Sequence, residues 1–342
     1  MKRLLAVLMV VACLLTAMAA AEAPAEEVIN VGVSFPTLED ITWVVSQQYI
    51  QDAAADFEAA NPGVKINITL ASADNDSTKQ NSQILDFLSS EMDVVLAGAV
   101  DTTALWESIV SCHAKDVPIC LFIRAIADGA PEAPDAQVVA NCYNVAYQSG
   151  KTVLEKMLND GYAPEDIYLV HIVGRLNDQN ALLYRQGYED AIQDVGGGKI
   201  NVVAEVASEW DVDTCLQRLS PVLMSNIEKV NCILVPNDNM QNAVQPALEQ
   251  IGKWIPYGEE GHIYVAGQGG QPISLKFIQQ KYIDVLALNS QKDIFGTAIQ
   301  FAVELARGNE VGDADIPVPV LTHENWDELE EQGYLWGIPY MD

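Results

Sequence analysis

Residues 28–43, VINVGVSFPTLEDITW, pass from an apolar strand-like run into a helical pattern, and the turn between them holds Thr37, Glu39, Asp40 and Thr42 just before Trp43. An apolar run that ends in polar residues and is answered at once by a helix is the unit from which parallel sheets are built. The same beat continues down the chain. VKINITLA, DVVLAGAV, VPICLFI, DIYLVHIV, INVVAEVA, NCILVPN, HIYVAGQ and IDVLALN read as strands. The periodicity predicts helices over 43–60, 77–90, 103–115, 145–160, 180–194, 212–227, 239–253, 271–281 and 293–307.

Strands this short and apolar, parted by helices, belong to parallel sheets covered on both faces. About ten such units would make one sheet too wide, so an α/β architecture of two doubly wound Rossmann-like lobes is expected. The segment AIADGAPEAPDAQ, 125–137, breaks the rhythm, and a crossing between domains is placed just after it.

The chain has 342 residues, of which 49% are hydrophobic, enough for two ordinary cores. At the start, Met1, Lys2 and Arg3 precede the apolar run Leu4 to Leu15, followed by small residues around Ala19 to Ala21, the pattern of a cleaved export signal over 1–21. Residues 22–27 read as a polar tether. VVAC at Cys13 loosely fits a lipoprotein processing box, but the apolar LLTAMAA after it favours ordinary cleavage. The expected location is therefore the periplasm or cell surface.

The formal charge of −30 becomes about −32 once Lys2 and Arg3 leave with the signal. Such a polyanion is repelled by nucleic acid and by anionic lipid. Cys112, Cys120, Cys142, Cys215 and Cys232 form an odd set within apolar runs, which reads as small buried core residues and not as a disulfide framework. No pair has zinc-site spacing, and no metal or cofactor is expected.

In open parallel sheets a ligand sits beyond the carboxyl ends of the strands. The residues found there are Glu39, Asp40 and Trp43, then Arg124, then Arg175, Asn177 and Asp178, then Trp210 and Asp211, then Asn237 and Asp238, then Gln268, and finally Asn289 and Ser290. They are hydrogen-bonding groups and two tryptophans, with hardly a nucleophile or titrating base. VGGGK at 195–199 ends a helix and lacks the hydroxyl residue of a phosphate loop. His113, His171, His262 and His323 are scattered, and no G-x-S-x-G elbow occurs. No catalytic residue is assigned, and an enzyme is not expected.

With this order of strand ends, the chain resembles the pentose- and hexose-binding proteins of bacterial ABC importers, the ribose- and galactose-binding type, or type 1 periplasmic binding proteins. The similarity is carried by FPTLEDITW, VPICLFIR, EWDVD and VPNDNM, and runs from about Val28 to Gly308. The resemblance implies two lobes joined by three crossing segments, 28–142 with 291–319 and 143–290 with 320–342, closing on a sugar. It implies ligand contacts from Asp40, Trp43, Arg124, Tyr184, Trp210, Asn237, Gln268 and Asn289, a monomeric chain, and ABC permease subunits as partners. A sensor module presenting its ligand to a chemoreceptor or kinase is the alternative.

Three positions depart from the family pattern: Ile123 where Asp or Asn is common, Thr42 where a second aromatic is common, and Tyr184 where an arginine is usual. For a sugar, aromatic planes cover the C–H faces, and Asp, Asn, Gln and Arg bind the hydroxyl rim. Each residue also has a purely structural reading: Asp40 as a helix cap, the tryptophans as core, Arg124 as a carboxylate partner, Asn237 and Asn289 as caps.

Overall fold

The computed structural model describes residues 26–176 and 178–341. The expected signal segment and Cys13 lie outside them, as does Asn177. The chain forms two six-stranded sheets.

The first sheet contains β1 (Glu27–Phe35), β2 (Val64–Ser72), β3 (Val94–Ala97), β4 (Ile119–Phe122), β5 (Ala136–Val139) and β11 (Ala314–Asp315), in the order β11-β5-β4-β3-β1-β2, all parallel. The second contains β6 (Tyr168–Val173), β7 (Asn201–Ala207), β8 (Cys232–Leu234), β9 (Tyr264–Gly269), β10 (Val285–Leu288) and β12 (Val320–Thr322), in the order β12-β10-β9-β8-β6-β7. Only β12 runs antiparallel, against β10. In each sheet the winding reverses beside the first strand, between β1 and β3 and between β6 and β8, which is where a doubly wound sheet opens its crevice.

The strands form here because they are buried on both faces: β3, β4 and β10 are buried at every position. The helices that cover them are α1 (Ile41–Ala60), α2 (Ser77–Ser89), α3 (Trp106–His113), α4 (Cys142–Asn159), α5 (Gln179–Gly196), α6 (Val212–Ser225), α7 (Gln241–Gln250), α8 (Pro272–Gln279), α9 (Gln291–Ala306) and α10 (Trp326–Glu331).

The chain passes between the sheets at 140–141, at 289–290 and at 316–319. After β5 it enters α4, whose Val153, Leu154 and Met157 pack with Leu169 and Tyr188 of the second lobe. After β10 it enters α9, whose Phe295 meets Phe122 of the first lobe at a ring distance of 5.3 Å. Each lobe thus borrows its covering from a chain segment that has just crossed.

Some local expectations shift. β5 was not anticipated, so the first crossing falls after a further strand and not directly after residue 137; four residues behind a Gly/Pro-rich stretch show no readable period. β11 and β12 are shorter still. Glu27 is not tether but the first residue of β1, and its carboxylate is bound by Arg307 at 2.8 and 3.0 Å. The helix expected over 239–253 is a short turn over Asp238–Met240 followed by α7. All five described cysteines are buried and free. No helix among the described residues is long and apolar enough to cross a membrane.

Candidate functional site

The first lobe contributes three of the expected residues. Asp40 caps α1 in extended backbone conformation and accepts the Thr42 N–H at 2.7 Å, so the capping role is real, yet the residue stays exposed at the cleft. Trp43 differs from its expected place as a free stacking surface. It is only 5% exposed and belongs to the first-lobe core beside Phe122. A Cβ at Gly98 would come within 2.9 Å of its ring, so glycine is what lets the indole sink to this depth.

Arg124 covers what is left of that ring, its guanidinium carbon 5.4 Å from the indole centroid. Its Nη1 donates to the carbonyls of Ala99 at 2.8 Å and Val100 at 3.3 Å, at the end of β3. It forms no ion pair with a carboxylate among the described residues. Burial lowers its pKa, while the charges of Asp178 and Asp40 act the other way, and Tyr184 also lies within its field.

In the second lobe, Asp178 caps α5, accepting the Asn180 N–H at 2.8 Å, and its other oxygen accepts the Trp210 indole N–H at 2.9 Å. Trp210 packs on Gly174, where a Cβ would stand 2.1 Å from the ring, and meets Tyr184 in a T-shaped arrangement at a ring distance of 6.5 Å. Glu209 and Trp210 both hold left-handed backbone, φ 56° and 60°, uncommon for such side chains and found where a site constrains the chain. Unlike Trp43, Trp210 remains half-buried.

Tyr184 is half-buried and packs on the second-lobe core. Burial, with Cys142 beside it, raises its hydroxyl pKa well above the ordinary range, and the Gln268 amide offsets part of that. Gln268, at the end of β9, is 1% exposed; its Nε2 donates to the Pro236 carbonyl, while its Oε1 is buried without a partner. Asn289, at the end of β10 on a crossing, likewise has a buried Oδ1 without a partner. Asn237 caps the turn after β8, its Oδ1 accepting the Met240 N–H at 3.1 Å.

The charge of Arg124 is felt together with those of Asp40 from its own lobe and Asp178 from the other, and Tyr184 of the second lobe lies within the same field. Sequence reading placed Asp178 at a strand end but gave it no role; its indole bond depends on a tryptophan 32 residues away and has no local signal. Asp238, next to Asn237, is buried and was also passed over. An open groove of about 720 Å³ lies elsewhere, between α1 and α9 beside Gly333, and contains none of the expected residues. Among the described residues no group of His, Cys, Asp and Glu is arranged to hold a metal.

A sequence profile described as the periplasmic binding protein domain matches residues 31–310. The ribose import binding protein RbsB of Bacillus subtilis (strain 168) is 21% identical over 282 residues, covering 82% of this chain and 83% of that protein. An ABC transporter solute-binding protein from Bacillus halodurans C-125, solved with bound myo-inositol, superposes with a TM-score of 0.70 at 24% identity, covering 91% of this chain and all of the other. The fructose-binding periplasmic domain of a hybrid two-component system superposes with a TM-score of 0.69 at 16% identity, covering 89% and 94%. At these identities the superpositions speak for the fold.

Proposed function

The chain belongs to the periplasmic binding protein domain family, and from that premise we propose that it captures an uncharged polyhydroxylated ligand, a sugar or cyclitol, between its lobes and delivers it to an ABC permease. The observation that carries this reading is the pair of buried amide oxygens, Gln268 Oε1 and Asn289 Oδ1, without hydrogen-bond partners at the ends of β9 and β10. A buried acceptor without a donor costs about 1–3 kcal/mol, and a ligand hydroxyl removes that cost. Arg124 supplies a planar donor edge, Asp40 an acceptor, and Trp210 the apolar face that a ring C–H surface needs. Asn237 and Tyr184 complete the second-lobe wall, and Trp43 acts from beneath as the platform for Arg124. No group in this set is placed as a nucleophile with its base, so binding without turnover is the chemistry it supports. The ligand is taken up outside the cytoplasm, after removal of the export signal.

A thermal-shift and calorimetric screen of aldoses, ketoses and cyclitols tests the proposal. At least one should stabilise the protein, and Arg124→Ala should weaken that ligand about 10- to 150-fold, the loss of a hydrogen bond to a charged donor. A screen in which nothing binds, or a hit indifferent to Arg124→Ala and Gln268→Leu, overturns the reading. The likeness to the two-component sensor domain supports a second reading, in which the same closed complex is presented to a sensor. Stimulation of a reconstituted permease ATPase by the liganded protein separates the two.

A further inference from the structure

The turn from β9 to α8 carries more than Gln268. Gly269 and Gly270 have φ of 135° and 130°, open to glycine and hardly to any other residue. A Cβ on Gly269 would lie 1.7 Å from Asp238 Oδ2. Asp238 is 4% exposed, and its carboxylate accepts the N–H groups of Gly270 and Gln271, each at 3.1 Å. On the other side, Trp336 and Gly337 from the C-terminal segment close over Gly270: a Cβ on Gly270 would meet the indole nitrogen at 2.5 Å, and one on Gly337 would meet the Gly270 carbonyl at 2.4 Å. The turn is therefore held between a buried carboxylate and the C-terminal segment.

From the end of this fixed turn, Gln271 Nε2 donates to Thr42 Oγ1 at 3.2 Å, a side-chain bond from the second lobe to the first. Thr42 is fixed in turn, since its N–H is the one taken by Asp40. Both residues of the pair are half-buried, so water competes for the bond only in part.

We propose that Gln271 and Thr42 form a latch between the lobes and that Asp238 is the positioning residue that keeps the latch in register. This rests on the reading of a cleft that closes between two lobes, though not on which ligand it closes over. A latch within the protein populates the closed form before any ligand arrives. It raises apparent affinity by that population and makes no ligand contact of its own.

Small-angle X-ray scattering of the ligand-free full chain, fitted as a mixture of closed and opened forms, reads the latch directly. Thr42→Val and Gln271→Met should each lower the closed-to-open ratio about two- to tenfold, the net worth of one hydrogen bond. The double variant should lower it no further, because both changes remove the same bond. Asp238→Asn should lower it as Gln271→Met does and add nothing to that variant. Curves of Thr42→Val and Gln271→Met that superpose on wild type, additive effects in the double variant, or a wild type without a closed fraction would each overturn the latch. Asp238→Asn at the wild-type ratio would remove Asp238 from its role. Thr42→Val sits in the other lobe, away from the turn, and tests the latch independently of any rearrangement of the turn in Asp238→Asn. A failed sugar screen leaves these curves as they are, and a lost latch leaves the sugar hits in place at weaker affinity, so the two failures are distinguishable.

Discussion

β1 and β6 hold the same place in their sheets, and each runs into a helix capped by an aspartate. Asp40 accepts the N–H two residues on at 2.7 Å and Asp178 does so at 2.8 Å. Their second oxygens part company. That of Asp178 accepts the Trp210 indole N–H, while no side chain among the described residues donates to that of Asp40. The tryptophans differ in step: Trp43 is core under Arg124, and Trp210 stands half-buried on Gly174. One local device, a carboxylate at a helix start, leaves an acceptor at the cleft in one lobe and orients an aromatic wall in the other. On the proposed reading, the first lobe offers the polar edge and the second the apolar face.

The largest expected effect comes from an acid that only the second lobe buries. Burial, opposed by the N–H groups of Gly270 and Gln271 and reinforced by the charge of Asp40, pushes the Asp238 carboxyl up to about 6 from 3.8. Between those values the folded state holds a proton that the unfolded state has released. The stability this group contributes is complete below about pH 4 and is lost as pH rises through about 6. That difference corresponds to about 3 kcal/mol. Asp238→Asn cannot ionise, so between pH 4 and 7 it should gain on wild type by about that amount in urea unfolding. Parallel pH profiles of the two proteins would show that the buried acid behaves like the exposed ones and break the contrast.

A smaller effect separates the two caps. Asp40→Ala should cost about 1 kcal/mol, the usual value of a lost helix cap. Asp178→Ala should cost about 2 kcal/mol, because the indole bond to a charged acceptor goes as well. Only Asp178→Ala should alter tryptophan emission, since it frees Trp210 from its partner. Equal losses with unchanged emission in both variants would mean that the indole is held by Gly174 and Tyr184 alone.

The repeating strand and helix pattern made the two doubly wound lobes legible in the sequence, because apolar runs buried on both faces have no other use. The strand-end positions of Asp40, Arg124, Gln268 and Asn289 were legible for a related reason: in such a sheet, position along the chain fixes position at the strand end. The depth of Trp43 was not, since it depends on the missing side chain of Gly98 and on Phe122 from another strand. Nor was the partnership of Asp178 with Trp210 or of Gln271 with Thr42, where residues far apart in sequence meet only after both lobes have formed. The C-terminal segment shows the same limit. Its Leu329 and Leu335 join the second-lobe core as any apolar residue would, but the seat of Trp336 against Gly270 is set by the turn it covers.

The smallest effect concerns backbone strain, which both lobes carry beside the cleft: Glu209 and Trp210 in the second, Ile123 in the first. Ile123 has φ 65°, and for a β-branched residue the left-handed region costs about 1–2 kcal/mol. The conformation is held by its N–H bond to the Val138 carbonyl at 3.0 Å and by the Arg124 N–H bond to the Phe122 carbonyl at 2.7 Å, and it turns Arg124 toward Ala99 and Val100. Asn accepts this φ more readily, so Ile123→Asn should relieve the strain. The Ile123 side chain, however, packs half-buried on the first-lobe core, and losing that contact returns about 1 kcal/mol. The net should be a gain of less than about 1 kcal/mol in thermal unfolding, with ligand affinity unchanged because Arg124 keeps its carbonyl partners. A loss greater than about 1 kcal/mol would mean that the isoleucine is kept for packing and that the strain at Ile123 is slight, leaving the strain of Glu209 and Trp210 without a counterpart at this position of the first lobe.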